Sequence, residues 1–268
     1  MTQRSAPIGM FDSGVGGMSV LREVRARLPA EDLCYVADSG HAPYGEKPPA
    51  YVQARAEHLI SWLLAQGCKA VVVACNTVTG LSIGPLRERF PRLPLVAIEP
   101  AVKPAARLTR SGVVGVLATR NTVQSAGLAR LIEAHAQGVT VLPQACPGWV
   151  ERVEQGLLDG PDTAALVAAR VRPLVDAGAD TLVLGCTHYP FLRAAIEQAA
   201  GPHVQVLDPA AAVARELERR LGAIGELAPA DAAPGQEQFW TSGDLATGQR
   251  VMQTLWPRPL QAQRLPGA

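Results

Sequence analysis

The chain has 268 residues, enough for one large α/β domain or two compact ones, and its 48% hydrophobic content is ordinary for a folded protein. With 25 basic and 24 acidic residues the formal charge is +1, which argues against a nucleic-acid partner or a polybasic membrane anchor. No apolar run approaches the roughly 18 residues of a membrane helix, and the first residues lack the apolar core of a secretory leader. A cytoplasmic protein is expected.

In chain order, PIGMFD, DLCYVAD, KAVVVAC, LPLVAIEP, GVVGVLAT, VTVLPQAC, ADTLVLGC, HVQVLDP and QFWTSGD read as strands. Helical patterns fall between them over 18–27, 49–66, 81–90, 125–135, 163–177 and 193–199. Residues 222–236, rich in Ala, Pro and Gly, read as a loop. Strands alternating with helices predict parallel, doubly wound sheets, with ligands beyond the C-terminal strand ends.

A weak internal repeat sets the domain layout. AVVVACNT resembles TLVLGCTH, with Cys75 and Cys186 lying 111 residues apart. LVAIEPAVKPAA resembles VQVLDPAAAVA, with their acid–proline pairs 109 residues apart. The matching offsets predict two similar α/β domains, residues 1–99 with 209–256 and residues 100–208, and a cleft between them that holds the active site. The segment 257–268 is expected to be a loosely held tail.

Five cysteines, none in a CxxC pair, read as reduced thiols rather than a disulfide framework or metal cage. Cys75 and Cys186 each end an apolar strand and precede small polar residues, Asn76-Thr77 and Thr187-His188. A free thiol is only about 3% ionised at neutral pH. A strand-to-helix turn, with its free N–H groups and positive dipole end, stabilises the thiolate. A cysteine after four apolar residues is also an ordinary small core side chain, but two in matching contexts point to chemistry. His188 could support the second thiolate or carry a proton itself.

The first loop, FDSGVGGMSVL, offers Asp12 and Ser13 beside glycines that let a ligand approach the backbone. Gly14, Gly16 and Ser19, with Asp38 about 20 residues after the loop, also nearly satisfy a dinucleotide fingerprint, which would leave both cysteine turns unexplained. In ADSGHAPYGEK, backbone donors near Tyr44-Gly45 could hold a carboxylate. Glu151 and Glu154 read by default as a solvated helical face. Lys47, Lys69 and Lys103 are the chain's three lysines, and none sits by a phosphate loop, so a Schiff-base cofactor is not expected.

These segments, together with CPGWVERVE, LGCTHYPFL, LDPA and FWTSGD, occur in an order that resembles bacterial glutamate racemases over residues 8–256. VACNT and GCTHYP carry most of that specificity. The resemblance implies two domains closing over glutamate without pyridoxal phosphate or metal, and two cysteines exchanging its Cα proton from opposite faces. It implies that Cys75 deprotonates D-glutamate and Cys186 L-glutamate, with Asp12, Glu154 and His188 as auxiliary groups. Asp12, Ser13, Tyr44, Gly45, Asn76, Thr77, Thr187 and His188 would bind substrate. Glu151 departs from the apolar or proline residue expected there. The role so implied is to supply D-glutamate for peptidoglycan and cell-wall biogenesis, with a homodimer as the family assembly. Aspartate or hydantoin racemisation, zinc-dependent hydrolysis, nucleotide-dependent dehydrogenation and amino-acid binding without catalysis are the alternatives.

Overall fold

The computed structural model describes residues 5–229 and 231–267. Its first half begins with β1 (Ile8–Asp12), a short 3-10 turn at Val15–Gly17, α1 (Met18–Arg27) and β2 (Leu33–Ala37). Two more 3-10 turns, Ser39–His41 and Tyr44–Glu46, lead into α2 (Pro49–Ala65). Then come β3 (Ala70–Val73), α3 (Asn76–Arg89), β4 (Leu95–Ala97) and α4 (Val102–Leu108).

The second half runs β5 (Val113–Ala118), α5 (Arg120–Val123), α6 (Ala126–His135), β6 (Thr140–Ala145), α7 (Trp149–Glu154) and α8 (Pro161–Asp176). It closes with β7 (Thr181–Gly185), a 3-10 turn at Tyr189–Leu192, α9 (Arg193–Ala200) and β8 (Gln205–Leu207). The chain returns through α10 (Ala210–Ala223) to β9 (Glu237–Thr241), α11 (Leu245–Leu255) and β10 (Ala262–Arg264).

Two all-parallel sheets result, ordered β10-β9-β2-β1-β3-β4 and β6-β5-β7-β8. Every residue of β1, β2, β3 and β7 is buried. That is why these strands are continuous apolar runs rather than alternating ones. The order β2-β1-β3-β4 in one sheet matches β6-β5-β7-β8 in the other. Cys75 follows β3 and Cys186 follows β7, so the two occupy equivalent places. The α/β architecture of two doubly wound halves agrees with the sequence reading.

Three differences have physical causes. Helix α3 begins at Asn76 rather than at 81, because its whole first turn is buried and shows no polar–apolar contrast for a period to register. Helices α4, α5 and α7 are too short to show a period, and α10 lies outside the expected set. The expected loose tail instead supplies β10, which pairs with β9, and Leu265 is buried. Two glutamine amides of α11 hold it there. Gln249 donates to Leu260 O at 2.9 Å and accepts from Ala262 N at 2.7 Å, while Gln253 donates to Arg258 O and accepts from Leu260 N.

Candidate active site

The C-terminal ends of β1, β2, β3, β5 and β7 converge on one cleft between the sheets. Asp12 ends β1 and is fully buried. Its Oδ2 accepts from Gly17 N at 2.8 Å and from the Thr187 hydroxyl at 3.1 Å. Burial raises the Asp12 carboxyl above its ordinary value, partly offset by His188. Ser13 follows, with its Oγ 3.8 Å from Cys75 Sγ.

Cys75 is the extended residue that opens α3. Burial pushes its thiol well above the ordinary value, and the Asp12 charge adds to this, while the Val78 N–H in the first turn of the helix acts against it. Cys186 stands differently. A 3-10 turn separates it from α9, so the helix that follows does not start at this sulfur as α3 does at Cys75. Its neighbour is an imidazole, His188 Nδ1, at 3.7 Å. Burial alone would depress His188, but its contacts with Cys186 and Glu154 and the charge of Asp12 outweigh that and hold it well above its usual value.

Glu154 is not on a solvated face. Its Oε1 accepts from His188 Nε2 and from Val15 N, each at 2.7 Å, and its Oε2 accepts from Ser39 Oγ at 2.8 Å. Trp149 of α7 packs edge-on against Tyr189 at 4.7 Å, which brings the α7 carboxylate to the histidine. A Cβ at Gly14 would lie 2.0 Å from Glu154 Oε1, and one at Gly16 2.2 Å from His188 Nδ1. The glycines of the first loop thus admit Glu154 and His188 rather than a pyrophosphate. Glu154 already takes the Val15 N–H. The other members of the dinucleotide pattern are also engaged, since Ser19 donates to Thr187 O at 2.9 Å and Asp38 pairs with Arg55 at 2.7 Å.

Among the remaining sequence candidates, Asn76 is buried with both side-chain polar atoms unpartnered. Leaving such an amide unsatisfied costs about 1–3 kcal/mol, so it is suited to a ligand. Thr77 Oγ1 lies 3.0 Å from Thr119 Oγ1 and 3.4 Å from Thr122 Oγ1. Tyr44 turns its hydroxyl to the Asp38 carboxylate, which Arg55 also grips, and the Gly45 backbone lies against Thr119.

Thr119, Thr122 and Ser39 join the site although the sequence reading passed over them. A signal was available: Thr119 follows β5, the counterpart of β1, and caps α5 by accepting from Thr122 N. Among the described residues, no group of three or more His, Cys, Asp and Glu side chains could hold a metal ion.

The sequence profile of the family described as Asp/Glu/Hydantoin racemase matches residues 16–217. The chain belongs to this family. It is 51% identical over 265 residues to the glutamate racemase of Pseudomonas aeruginosa, covering 99% of each chain. Among solved structures it is similar to a glutamate racemase from Thermus thermophilus in complex with β-chloro-D-alanine, at 38% identity and a TM-score of 0.82 over 98% of this chain and 97% of that one. It is also similar to the Escherichia coli glutamate racemase in complex with L-glutamate, at 32% identity and a TM-score of 0.83 over 97% of each. Racemases of this family act on small molecules, and this family's two-domain architecture accounts for the paired sheets and the cleft between them.

Proposed function

We propose that this chain is a cofactor-independent glutamate racemase that interconverts L- and D-glutamate and supplies D-glutamate for peptidoglycan. The observation that carries this reading is the pairing of Cys75 and Cys186 at equivalent strand ends of the two halves, each with its own polar support. The near-full-length likeness to glutamate racemases supports the choice of substrate.

In the L to D direction the Cys186 thiolate removes the Cα hydrogen as a proton. The bond's electron pair passes into the substrate carboxylate as an ene-diolate, and the Cys75 thiol delivers a proton to the opposite face. Cys75 is then thiolate and Cys186 thiol, ready for the reverse reaction or for reset by exchange with solvent. The imidazolium of His188, braced by Glu154, provides the counter-charge for a thiolate at Cys186. Asp12, across the cleft, takes up the substrate ammonium. Asn76 and Thr77 at the start of α3, with Thr187, Ser13 and the Tyr44-Gly45 backbone, bind the carboxylates. Such aligned donors in a water-poor site carry most of the catalysis when no cofactor absorbs the charge.

We take residues 1–99 with 209–256, and 100–208, as the two domains, supported by the membership of the two sheets. The reading needs neither pyridoxal phosphate nor metal. Of the three lysines, Lys69 is buried in an ion pair with Glu31. No described helix is long and apolar enough to cross a membrane; a cytoplasmic location and a homodimer are parts of the proposal, the latter checked by sedimentation equilibrium. The deciding experiment incubates dialysed protein with L-glutamate and with L-aspartate and separates the enantiomers. D-glutamate formation is the expected result. Preferential racemisation of aspartate, or none of either without added cofactor, would overturn the reading.

A further inference from the structure

The loop that carries Tyr44-Gly45 belongs to the first half, yet it is gripped from the second. Asn121, in the first turn of α5, donates its side-chain amide to Tyr44 O at 2.9 Å and to Lys47 O at 2.8 Å. These two carbonyls bracket the 3-10 turn Tyr44–Glu46, so one amide straps both ends of it. The halves also meet closely at this point. A Cβ at Gly45 would fall 2.7 Å from Thr119 Cβ, leaving no room for a side chain between loop and helix. From its own half the loop is held on the opposite side, through the Tyr44 hydroxyl on Asp38 and the bidentate Arg55 pair. Arg55 and Asp38 therefore fix the Tyr44 ring, and Asn121 fixes the backbone.

We propose that Asn121 is a positioning residue that latches the second half onto the Tyr44–Lys47 turn and so sets how firmly the cleft closes over glutamate. The inference rests on the racemase reading for its substrate and on the two hydrogen bonds for its mechanism. Both bonds cross from one half to the other, so they exist only while the halves are together. A contact present only in the closed state shifts the open–closed balance by its own free energy. Losing it weakens apparent substrate affinity while leaving the chemistry of the closed state intact. Two neutral hydrogen bonds near the lower end of their usual net strength correspond to about a tenfold change.

The test compares wild type with Asn121→Ala, Asn121→Asp and Asn121→Gln. With alanine, KM for glutamate should rise about tenfold, with kcat held within about threefold. Aspartate replaces the donor by a carboxylate facing two carbonyl oxygens and should do at least as much damage, whereas glutamine keeps the donors on a longer arm and should recover part of the loss. Amide hydrogen exchange should quicken over residues 43–48 and 119–123 in the alanine variant, with β1 and β7 unchanged. Unchanged KM and unchanged exchange, a loss confined to kcat, or faster exchange throughout the chain would each overturn the latch. A wild type inactive on glutamate would overturn the functional reading instead, and the exchange pattern would still decide the latch.

Discussion

Thr187 and Asp12 are bonded across the cleft. The Thr187 hydroxyl donates to Asp12 Oδ2 at 3.1 Å, and the same oxygen accepts the Gly17 N–H at 2.8 Å. One carboxylate thus joins the glycine loop of the first half to the turn that carries Cys186. The Ser13 hydroxyl donates to the other carboxylate oxygen at 3.4 Å, and His188 Nδ1 lies 3.9 Å from Oδ2, so the carboxylate is placed by neutral donors and its charge is answered in part by the imidazole.

Asp12→Asn keeps an acceptor for both donors and removes that charge. Turnover should fall about 100-fold, within the usual range for groups that assist proton transfer. Stability should move the other way. Burial raises Asp12 above 3.8, so the folded protein holds this proton to higher pH than the unfolded chain, and the ionised form opposes folding above that raised value. The variant should melt at or above the wild-type temperature near neutral pH, with the advantage shrinking on acidification toward 3.8. A variant clearly less stable at neutral pH would refute this account.

The pH profile follows from the sulfurs. Turnover in either direction requires a single proton shared between Cys75 and Cys186, so the rate should follow a bell whose limbs belong to the pair. Burial pushes the Cys75 thiol well above 9.0, and Asp12 and Cys186 push it the same way. The alkaline decline in kcat/KM should therefore fall above 9.0. A decline centred below that value would mean that a different group limits the reaction.

Stereochemistry separates two bases from one. In heavy water, the first D-glutamate formed from L-glutamate should carry deuterium at Cα, while the remaining L-glutamate stays protiated, because the proton removed at one sulfur is not the one returned from the other. Cys75→Ser and Cys186→Ser should each lower kcat/KM by at least about 100-fold. Protium retained in the earliest product would point to a single base.

Cys34 and Cys68 provide the control. Both are buried, and Cys34 is driven upward by its neighbour Cys68 as well as by burial, so Cys34 is not a ready thiolate. Cys34→Ala and Cys68→Ala should leave kcat/KM within about twofold while costing roughly 1 kcal/mol of stability each, measured by urea denaturation. Losses as large as those at Cys75 would mean that structural thiols had been mistaken for chemical ones.

The sequence by itself determined the alternation of strand and helix, the two-half layout and the candidate cysteines. Those signals are local: buried parallel strands are continuous apolar runs, and AVVVACNT and TLVLGCTH carry the same pattern. Glu154 was legible only through the family resemblance, because a carboxylate on a short helix has no periodic mark to distinguish it from a solvated one. Only the tertiary structure decided that Glu154 braces His188, that a 3-10 turn makes the Cys186 end unlike the Cys75 end, and that residues 262–264 form an edge strand. It alone joined Asn121 to the Tyr44 turn. The 3-10 turn and the edge strand are each settled within a single half; the Glu154 brace and the Asn121 strap share a different physical reason. Hydrogen bonds between groups far apart in the chain, such as Val15 N to Glu154 across 139 residues, depend on how the two sheets dock, and neither local propensity nor hydrophobic period encodes that docking.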